Sequence, residues 1–272
     1  MGQRLREVRR RAGLTGRRLA ALAGWHESKV SKLEYGKLRP SDADVRAYCE
    51  FSGATDERDD LLATLHNIDA AYMETRRLLS SGTGRRQDEL VRLAERTLLT
   101  RIYQNILIPG ILQTPDYARA VLWRSIERHR IPDDLDAGVM KRIERQRFLY
   151  RGERRFHILI AEQTLLTTVG DSDVMIGQLD RLLVAMGLAR VTLGVIPAMA
   201  VLPQQTTNFV MFDDRIVTVE TVTAELSVRQ PREVSVYGQT FDMLSALAVA
   251  GDEARRLILD AVERHRVSRG AT

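Results

Sequence analysis

The order of apolar residues and glycines in the first 36 residues constrains the fold of this chain more than any other feature. Apolar side chains recur at the spacing of an amphipathic helix, and Gly13 is suited to end that helix because glycine tolerates a positive φ. Thr15 is a candidate N-cap for a second helix over 16–23. Gly24 allows a tight turn, and a third helix is predicted from about 27 to 35.

The positive charge of the chain is concentrated in the same segment. Residues 1–50 contain 12 Lys and Arg against 6 Asp and Glu, a net charge of +6, whereas the remaining residues hold 29 against 30, a net charge of −1. This asymmetry favours a polyanion-binding module joined to a nearly neutral domain. An arginine-rich solvated surface accounts for the charge equally well, so charge alone leaves both interpretations open.

A helix, a short turn containing glycine and a second helix have the spacing of the helix-turn-helix motif. The segment resembles the XRE (Cro/λ-repressor-like) family through Leu14-Thr15, Leu19-Ala20, Gly24, Val30-Ser31, Leu33-Glu34, Gly36 and Arg39-Pro40-Ser41. The chain departs from the family at Gly16, where a glutamine that braces a phosphate contact usually stands. The resemblance implies a five-helix domain that binds double-stranded DNA.

The same resemblance implies which residues meet DNA. The third helix is expected to enter the major groove, where its exposed residues read base edges. The expected base contacts are Glu27, Ser28, Lys29, Ser31 and Lys32. The expected phosphate contacts are Thr15, Arg17, Arg18, Lys37 and Arg39. Glu27 has the alternative role of stabilising the helix N-terminus. Glu34 is expected to pair with Arg9 or Arg10 of the first helix.

Two further helices and a linker complete the predicted first domain. Ser41 begins a fourth helix, and apolar residues at helical spacing predict a fifth over 56–79. Small residues without an apolar anchor then favour a linker at 80–86. We therefore expect an all-α helix-turn-helix domain at 1–79 and a second domain at 87–272.

The second domain mixes helix and strand patterns. Strands are predicted at 102–108, 156–161 and 191–196, followed by short antiparallel strands at 209–212, 216–220 and 225–228. Helices are predicted from Arg85 onward, from Thr114-Pro115 onward and at 133–150, 171–187, 232–250 and 253–266. Long helices around short strands indicate an α+β domain with a mixed, partly antiparallel sheet and flanking helices.

A second resemblance covers nearly the whole chain. It rests on the block Ile108-Pro-Gly-Ile-Leu-Gln-Thr-Pro-Asp-Tyr-Ala-Arg-Ala-Val121 and on Arg145-Gln-Arg, Ala161-Glu162, Val169-Gly170 and Gln178-Leu179. These segments are similar to the antitoxin-like transcriptional regulators of actinomycetes, which couple an XRE module to this C-terminal domain. Those regulators are often encoded beside a small partner protein. The resemblance implies a transcriptional regulator that a small protein partner or a small-molecule effector controls through residues 87–272.

One block of the second domain is a candidate ligand or partner site. Its residues follow a predicted strand and open a helix, where backbone N–H groups can bind an anion. They are Gly110, Gln113, Thr114 and Tyr117, with Glu162 as a further candidate. The alternative is a structural turn that locks the strand to the helix.

No motif for catalysis stands out in the second domain. The sequence lacks a zinc-protease helix, a phosphate-binding loop and a nucleophile elbow, so we expect no enzyme activity, no metal and no cofactor. Of the carboxylates Glu144, Glu162 and Glu220, one is expected to form an internal ion pair with Arg145 or Arg147, and His157 is expected to be a core histidine. The alternative is an enzyme domain in 87–272 that the DNA-binding module targets or autoregulates. Its sign would be a metal or substrate bound by Glu162, Glu220 or His157 in a deep polar pocket.

Composition and symmetry give the remaining expectations. No apolar run approaches the roughly 20 residues that span a bilayer, and the basic N-terminus lacks the apolar stretch of a secretory signal. Cys49 is the only cysteine, which excludes an internal disulfide. We therefore expect a cytoplasmic protein without membrane contact. A homodimer on a two-fold operator is expected because one small module seldom binds DNA tightly enough.

Overall fold

The computed structural model describes residues 1–74, 83–201, 207–222 and 224–270. The chain divides into two compact units, Met1–Tyr72 and Met73–Thr272, so the division falls earlier than the predicted boundary at 79. Within the described ranges, none of the helices has the length and apolar character needed to cross a membrane.

The first unit is helical, as its sequence pattern predicts. Its helices are α1 (Gly2–Arg11), α2 (Gly16–Ala23), α3 (Glu27–Glu34), α4 (Asp42–Phe51) and α5 (Arg58–Ala71). The apolar positions of the predicted pattern form its core, and Leu5, Leu19, Leu33 and Tyr48 are fully buried. The bounds of α2 are those predicted, because Thr15 and Gly24 mark its two ends.

The fifth helix is shorter than predicted. The apolar pattern favoured a helix over 56–79, but α5 ends at Ala71 and a three-residue strand, β1 (Tyr72–Glu74), follows it. The final predicted apolar position, Leu79, lies outside the described residues. The sequence contains no glycine or proline between 58 and 79, so the pattern offered no stop signal at the observed end.

The linker predicted at 80–86 is not observed over its second half. Residues 80–82 lie outside the described part of the chain, and helix α6 (Thr83–Glu95) begins directly after them. The Asp134 carboxylate fixes this start, since it accepts hydrogen bonds from the Thr83 backbone N–H at 2.9 Å and the Gly84 backbone N–H at 2.7 Å. Burial acts to raise the pKa of Asp134, but these hydrogen bonds hold it below its ordinary value. Thr83 and Gly84, which we predicted to belong to a linker, therefore begin α6, and Asp134, about 50 residues later in the sequence, caps that helix.

The remaining elements of the second unit follow the predicted alternation. The strands are β2 (Leu99–Gln104), β3 (Arg155–Ala161), β4 (Val191–Ile196), β5 (Phe209–Phe212), β6 (Ile216–Glu220) and β7 (Ala224–Val228). The helices are α7 (Pro115–His129), α8 (Leu135–Arg145), α9 (Gln163–Leu166), α10 (Ser172–Ala185), α11 (Pro231–Leu247) and α12 (Gly251–Gly270). The bounds of β4, β5 and β6 are those predicted.

Strands β2 to β7 form a mixed sheet in the order β7-β6-β5-β2-β3-β4. The pairs β2–β3 and β3–β4 are parallel, with Ile102 opposite Ile158 and Ile158 opposite Leu193. The pairs β2–β5, β5–β6 and β6–β7 are antiparallel. The predicted mixed, partly antiparallel sheet with flanking helices is therefore confirmed.

Each face of this sheet packs against helices. On one face, Ile102 and Ile158 join a core with buried residues of α7, α10 and α12, such as Leu179. On the other face, Tyr103 and Leu159 pack with buried residues of α11. Adjacent residues of one strand enter different cores because successive side chains of a strand point to opposite faces.

The first predicted strand ends earlier than its apolar pattern indicated. We predicted a strand over 102–108, whereas β2 ends at Gln104. At Ile108 the backbone N–H donates to Tyr117 Oη at 3.1 Å, and the carbonyl accepts from Gln113 Nε2 at 2.7 Å. Both backbone groups of Ile108 are thus bonded to side chains and not to a neighbouring strand.

Candidate functional site

Side-chain caps fix the starts of the second and third helices. Thr15 Oγ1 accepts a hydrogen bond from the backbone N–H of Arg18 at 3.1 Å, so Thr15 caps α2 as predicted. Gly24 adopts the left-handed conformation, with φ of 67°, at the turn between the helices. His26 Nδ1 accepts from the backbone N–H of Ser28 at 3.2 Å and caps α3. The two helices and their turn have the helix-turn-helix arrangement.

A buried ion pair attaches α3 to the rest of the first unit. Arg9 Nε and Nη2 donate to the two carboxylate oxygens of Glu34 at 2.6 and 2.8 Å. Tyr48 Oη donates to Glu34 Oε1 at 3.3 Å, which adds α4 to the network. The hydrogen bond with Glu34 raises the pKa of Arg9 against the opposing effect of burial. The sequence left Arg9 and Arg10 open as partners of Glu34, and the structure shows that the partner is Arg9.

The exposed side of α3 carries polar and positive residues. Ser28, Ser31 and Lys32 are all exposed. Lys32, Lys37 and Arg18 have no carboxylate within 4.0 Å among the residues that the structure describes. These cations are therefore open to an external negative charge.

Two of the expected base contacts are engaged within the domain. Lys29 Nζ lies 2.6 Å from Asp44 Oδ1 of α4 and 4.3 Å from the ring centroid of the half-buried Trp25. The Glu27 carboxylate lies 2.8 Å from Arg17 Nε, and both side chains are exposed. Arg17 and Glu27 therefore screen each other at the surface.

Sequence reasoning missed the role of Asp44. Its carboxylate accepts from the Ser41 backbone N–H at 2.9 Å and completes the capping box of α4, in addition to binding Lys29. Burial acts to raise the pKa of Asp44, but the bonds from Lys29 and Ser41 hold it below its ordinary value. The spacing of Ser41 and Asp44 is typical of a capping box and was a usable signal. The contact with Lys29 depends on tertiary packing and left no such signal.

Gly16, where the chain departs from the XRE pattern, has room for a side chain. A Cβ built there would lie 3.5 Å from Val30 Cγ1, which is an ordinary van der Waals contact. Steric exclusion therefore does not explain the glycine, and the structure gives no other reason for it.

The block proposed as a ligand or partner site uses its polar groups inside the domain. Gln113 and Tyr117 bind the backbone of Ile108, as described above. The backbone N–H of Thr114 donates to Gln178 Oε1 at 2.7 Å, and Thr114 Oγ1 accepts from the Tyr117 backbone N–H at 3.3 Å. Two of the backbone N–H groups that we expected to bind an anion, those of Thr114 and Tyr117, are thus already engaged. The arrangement is that of the structural turn, the alternative interpretation.

The side chains that would have marked an enzyme are not gathered in one pocket. Glu162 Oε2 accepts from the backbone N–H of Ala198 at 2.8 Å. The ring of His157 packs edge-on against Phe241 with centroids 4.9 Å apart, and burial lowers its pKa. Glu220 alone of the three lines the cavity described next. Across the described ranges, no group of three His, Cys, Asp or Glu side chains is placed to hold a metal ion.

A cavity of about 300 Å³ is enclosed by α6, α7, α8 and the sheet of the second unit. Its charged wall residues are Arg86, Arg142, Arg145, Glu220 and Glu225. Of the predicted site residues, Gly110 and Gln113 line this cavity, whereas Thr114, Tyr117 and Glu162 do not. A Cβ at Gly110 would lie 3.1 Å from Arg145 Nη2, so the bare backbone allows that guanidinium to approach closely.

Sequence reasoning did not identify the arginines of this cavity. Arg142 and Arg145 are spaced i,i+3 in a helix that was predicted, so their common face was detectable. Arg86 was not considered as a site residue because it lies in the predicted linker at 80–86. Glu144 lies 2.8 Å from Arg147, one of its two predicted partners, but both side chains are exposed, so the pair is a surface pair and not the internal one that we predicted.

Comparison with known proteins matches a separate family model to each part of the chain. A family model described as "Domain of unknown function (DUF5753)" matches residues 87–260, and one described as "Helix-turn-helix domain" matches residues 1–62. Among curated proteins nothing matches the chain. An archaeal chromatin protein, TrmBL2, described as showing a novel mode of DNA binding, aligns over 88% of each chain with 10% identity and a TM-score of 0.33. A TM-score of this size does not establish a common fold. The helix-turn-helix prediction is confirmed by the family match.

Proposed function

The chain belongs to the family described as Domain of unknown function (DUF5753), and we propose that it is a sequence-specific, XRE-type regulator of transcription that binds double-stranded DNA. The observation that carries this proposal is the exposed side of α3 in a helix-turn-helix domain, with Ser31 and Lys32 facing solvent. The net charge of +6 in residues 1–50 supplies the attraction to a polyanion.

In this proposal α3 reads bases from the major groove. Lys32 can donate to guanine O6 and N7, and the hydroxyls of Ser28 and Ser31 can meet any base. Lys29 and Glu27 are poorer candidates than their positions suggested, because each would have to open an ion pair to reach a base edge. Base reading is therefore assigned first to the two serines and Lys32.

Phosphate contacts flank this reading surface. Lys37 and Arg18 are exposed cations without an internal carboxylate partner among the described residues, which suits them to neutralise phosphates. The remaining proposed phosphate contacts are Thr15, Arg17 and Arg39. Such contacts fix register and affinity without reading sequence.

The second unit is proposed to provide dimerisation and control, without catalysis. Two copies on a two-fold operator would combine the affinities of two small modules. Control by a small partner protein, as in antitoxin-like regulators, or by a small ligand is assigned to residues 87–272. The cavity in this unit is the feature that favours a ligand.

The DNA proposal is tested by the salt dependence of binding. We expect the full chain to bind duplex DNA with an affinity that falls as salt rises, and Lys37→Ala to reduce the slope of log K against log salt by about one unit. Fluorescence anisotropy of a labelled duplex at several salt concentrations measures both slopes.

Arg255→Ala is the matched control, because it removes the same charge from an exposed position of α12 in the other unit. Its slope should equal that of the wild type. If Lys37→Ala also keeps the wild-type slope, the assignment of Lys37 to a phosphate is wrong.

A further inference from the structure

Two arginines of the second-unit cavity have no acidic partner. Arg142 Nη1 donates to Gln113 Oε1 at 2.7 Å, while its Nε is buried without a hydrogen-bond partner in the described structure. Arg145 has neither a hydrogen bond nor an ion pair among the described residues. Both side chains are partly buried, and a positive charge that is partly withdrawn from water is costly unless a counter-ion accompanies it.

The surroundings of these arginines disfavour their charged form, Arg142 through burial and Arg145 through burial and neighbouring positive charge. Burial lowers the pKa of Arg142 to about 10. Burial, together with the positive charges of Arg142 and Arg86, lowers the pKa of Arg145 to about 9. The domain therefore holds two guanidinium groups at a position that disfavours their charge, which an anion placed beside them would relieve.

The acidic side chains of the cavity wall do not balance this charge. Glu225 is paired with Arg86, which also lies 3.1 Å from Glu89. Glu220 acts on Arg142 only beyond ion-pair distance. The three arginines on the wall face two glutamates, so the cavity keeps an excess of one positive charge.

The rest of the wall is largely apolar. It includes Leu90, Ile102, Leu107, Val121, Phe156 and Phe209. A cavity of about 300 Å³ lies at the lower end of the roughly 300–1,000 Å³ that small-molecule sites occupy, so it suits a small organic ligand. An occupant of this cavity would combine one negative group with an apolar body.

We propose that this cavity binds a small organic monocarboxylate, whose carboxylate accepts hydrogen bonds from Arg145 and Arg142 while its apolar body packs between α6 and the sheet. The arginine guanidinium presents paired donors that match the two oxygens of a carboxylate. A single negative charge matches the single excess positive charge of the wall. The role of this ligand as an effector rests on the function proposed above, whereas its binding does not.

The test uses octanoate, a monocarboxylate of the required size, in isothermal titration calorimetry with the full chain. Octanoate is expected to bind, and octylamine and 1-octanol, which carry the same chain with a positive or neutral head group, are expected not to bind. Equal binding of either control would overturn the proposal, because recognition would then not depend on the anion. Binding of inorganic phosphate without binding of octanoate would overturn the carboxylate assignment.

Substitutions locate the site. Arg145→Gln should weaken octanoate binding by about tenfold or more, as expected for the loss of a charged hydrogen-bond donor. Arg147→Gln is the matched control, since Arg147 is exposed in the turn that directly follows α8 and lies outside this cavity. Unchanged binding in Arg145→Gln, or an equal loss in Arg147→Gln, would refute the proposed site.

Folding of the variant is checked by thermal unfolding. Arg145→Gln should not be less stable than the wild type without ligand, because it removes a charge that has no partner. If this variant fails to fold, Arg145→Lys provides the same test, since an ammonium group lacks the paired donors and should still weaken octanoate binding.

A DNA titration separates this inference from the proposed function. Octanoate is expected to change the affinity of the full chain for duplex DNA in the wild type but not in Arg145→Gln. Octanoate binding that depends on Arg145 supports the site even if no duplex is bound, in which case only the DNA proposal fails. Duplex binding without any octanoate binding overturns the site and leaves the DNA proposal intact.

Discussion

Replacement of Glu34 by glutamine tests whether one buried ion pair holds the proposed recognition helix in place. Glu34 is the last residue of α3, and its carboxylate accepts two hydrogen bonds from Arg9 of α1 and one from Tyr48 of α4. Glutamine has nearly the same shape but no charge, so Glu34→Gln leaves the Arg9 guanidinium unpaired with little change in packing.

The expected cost follows from the burial of the pair. The side chains of Arg9 and Glu34 are only 10% and 4% exposed. Removal of one partner of a buried ion pair destabilises a protein by about 3–5 kcal/mol, because the other charge remains buried. This is a large part of the roughly 5–15 kcal/mol that stabilises a domain. With a urea dependence of about 1–3 kcal/mol per molar, the unfolding midpoint should fall by at least about 1 M.

Urea unfolding followed by tryptophan fluorescence measures this change in the first unit alone. The chain has two tryptophans, and a Trp123→Phe background leaves Trp25, which lies 5.9 Å from the Tyr48 ring between centroids. Glu27→Gln is the control, since it breaks the exposed pair with Arg17 and should cost less than about 1 kcal/mol. A midpoint shift in Glu34→Gln no larger than that in Glu27→Gln would refute the reasoning.

Two further predictions concern stability. The pKa of Asp44 is lower in the folded state than its ordinary value of 3.8. The ionised Asp44 carboxylate therefore stabilises the folded first unit above pH 3.8, and this stabilisation is lost as the pH falls through the pKa of the folded state. The free energy of unfolding of the first unit, measured from Trp25 fluorescence between pH 3 and 7, should therefore decrease at the acidic end. Asp44→Asn should weaken this pH dependence and lower the free energy of unfolding by about 1 kcal/mol near neutral pH. An unchanged pH profile in Asp44→Asn would contradict this explanation. In the second unit, Gly138→Ala should be destabilising by about 1–3 kcal/mol, because the new Cβ would overlap Thr83 Oγ1. Gly177→Ala in α10 meets nothing within 4 Å and should instead stabilise by up to about 1 kcal/mol, as alanine normally does in a helix. Thermal unfolding of both variants checks these two predictions. A Gly138→Ala variant no less stable than Gly177→Ala would show that the contact with Thr83 does not matter.

Local signals predicted the elements of the first unit well. Thr15 and Gly24 are cap and stop residues whose effect acts within a few positions, so the bounds of α2 could be predicted from sequence. The short strands β5 and β6 were likewise placed correctly, because apolar runs of this length bounded by turn residues favour strands.

Features that depend on distant partners could not be predicted in the same way. The start of α6 is fixed by Asp134, and the end of β2 by Gln113 and Tyr117, and none of these contacts has a local signature. The resemblance to known regulators identified Gly110 and Gln113 as candidates but not the cavity that they line. That cavity exists because α6 and α8 bring Arg86 and Arg145 to one space, which requires the tertiary fold.

We propose that the exposed side of α3 reads a DNA sequence. Selection of binding sites by the full chain from random duplexes, followed by sequencing of the bound fraction, tests it most directly. We expect enrichment of a motif with two half-sites related by two-fold symmetry, about one helical turn apart between centres. A bound fraction whose sequences are indistinguishable from the unselected pool would contradict the claim.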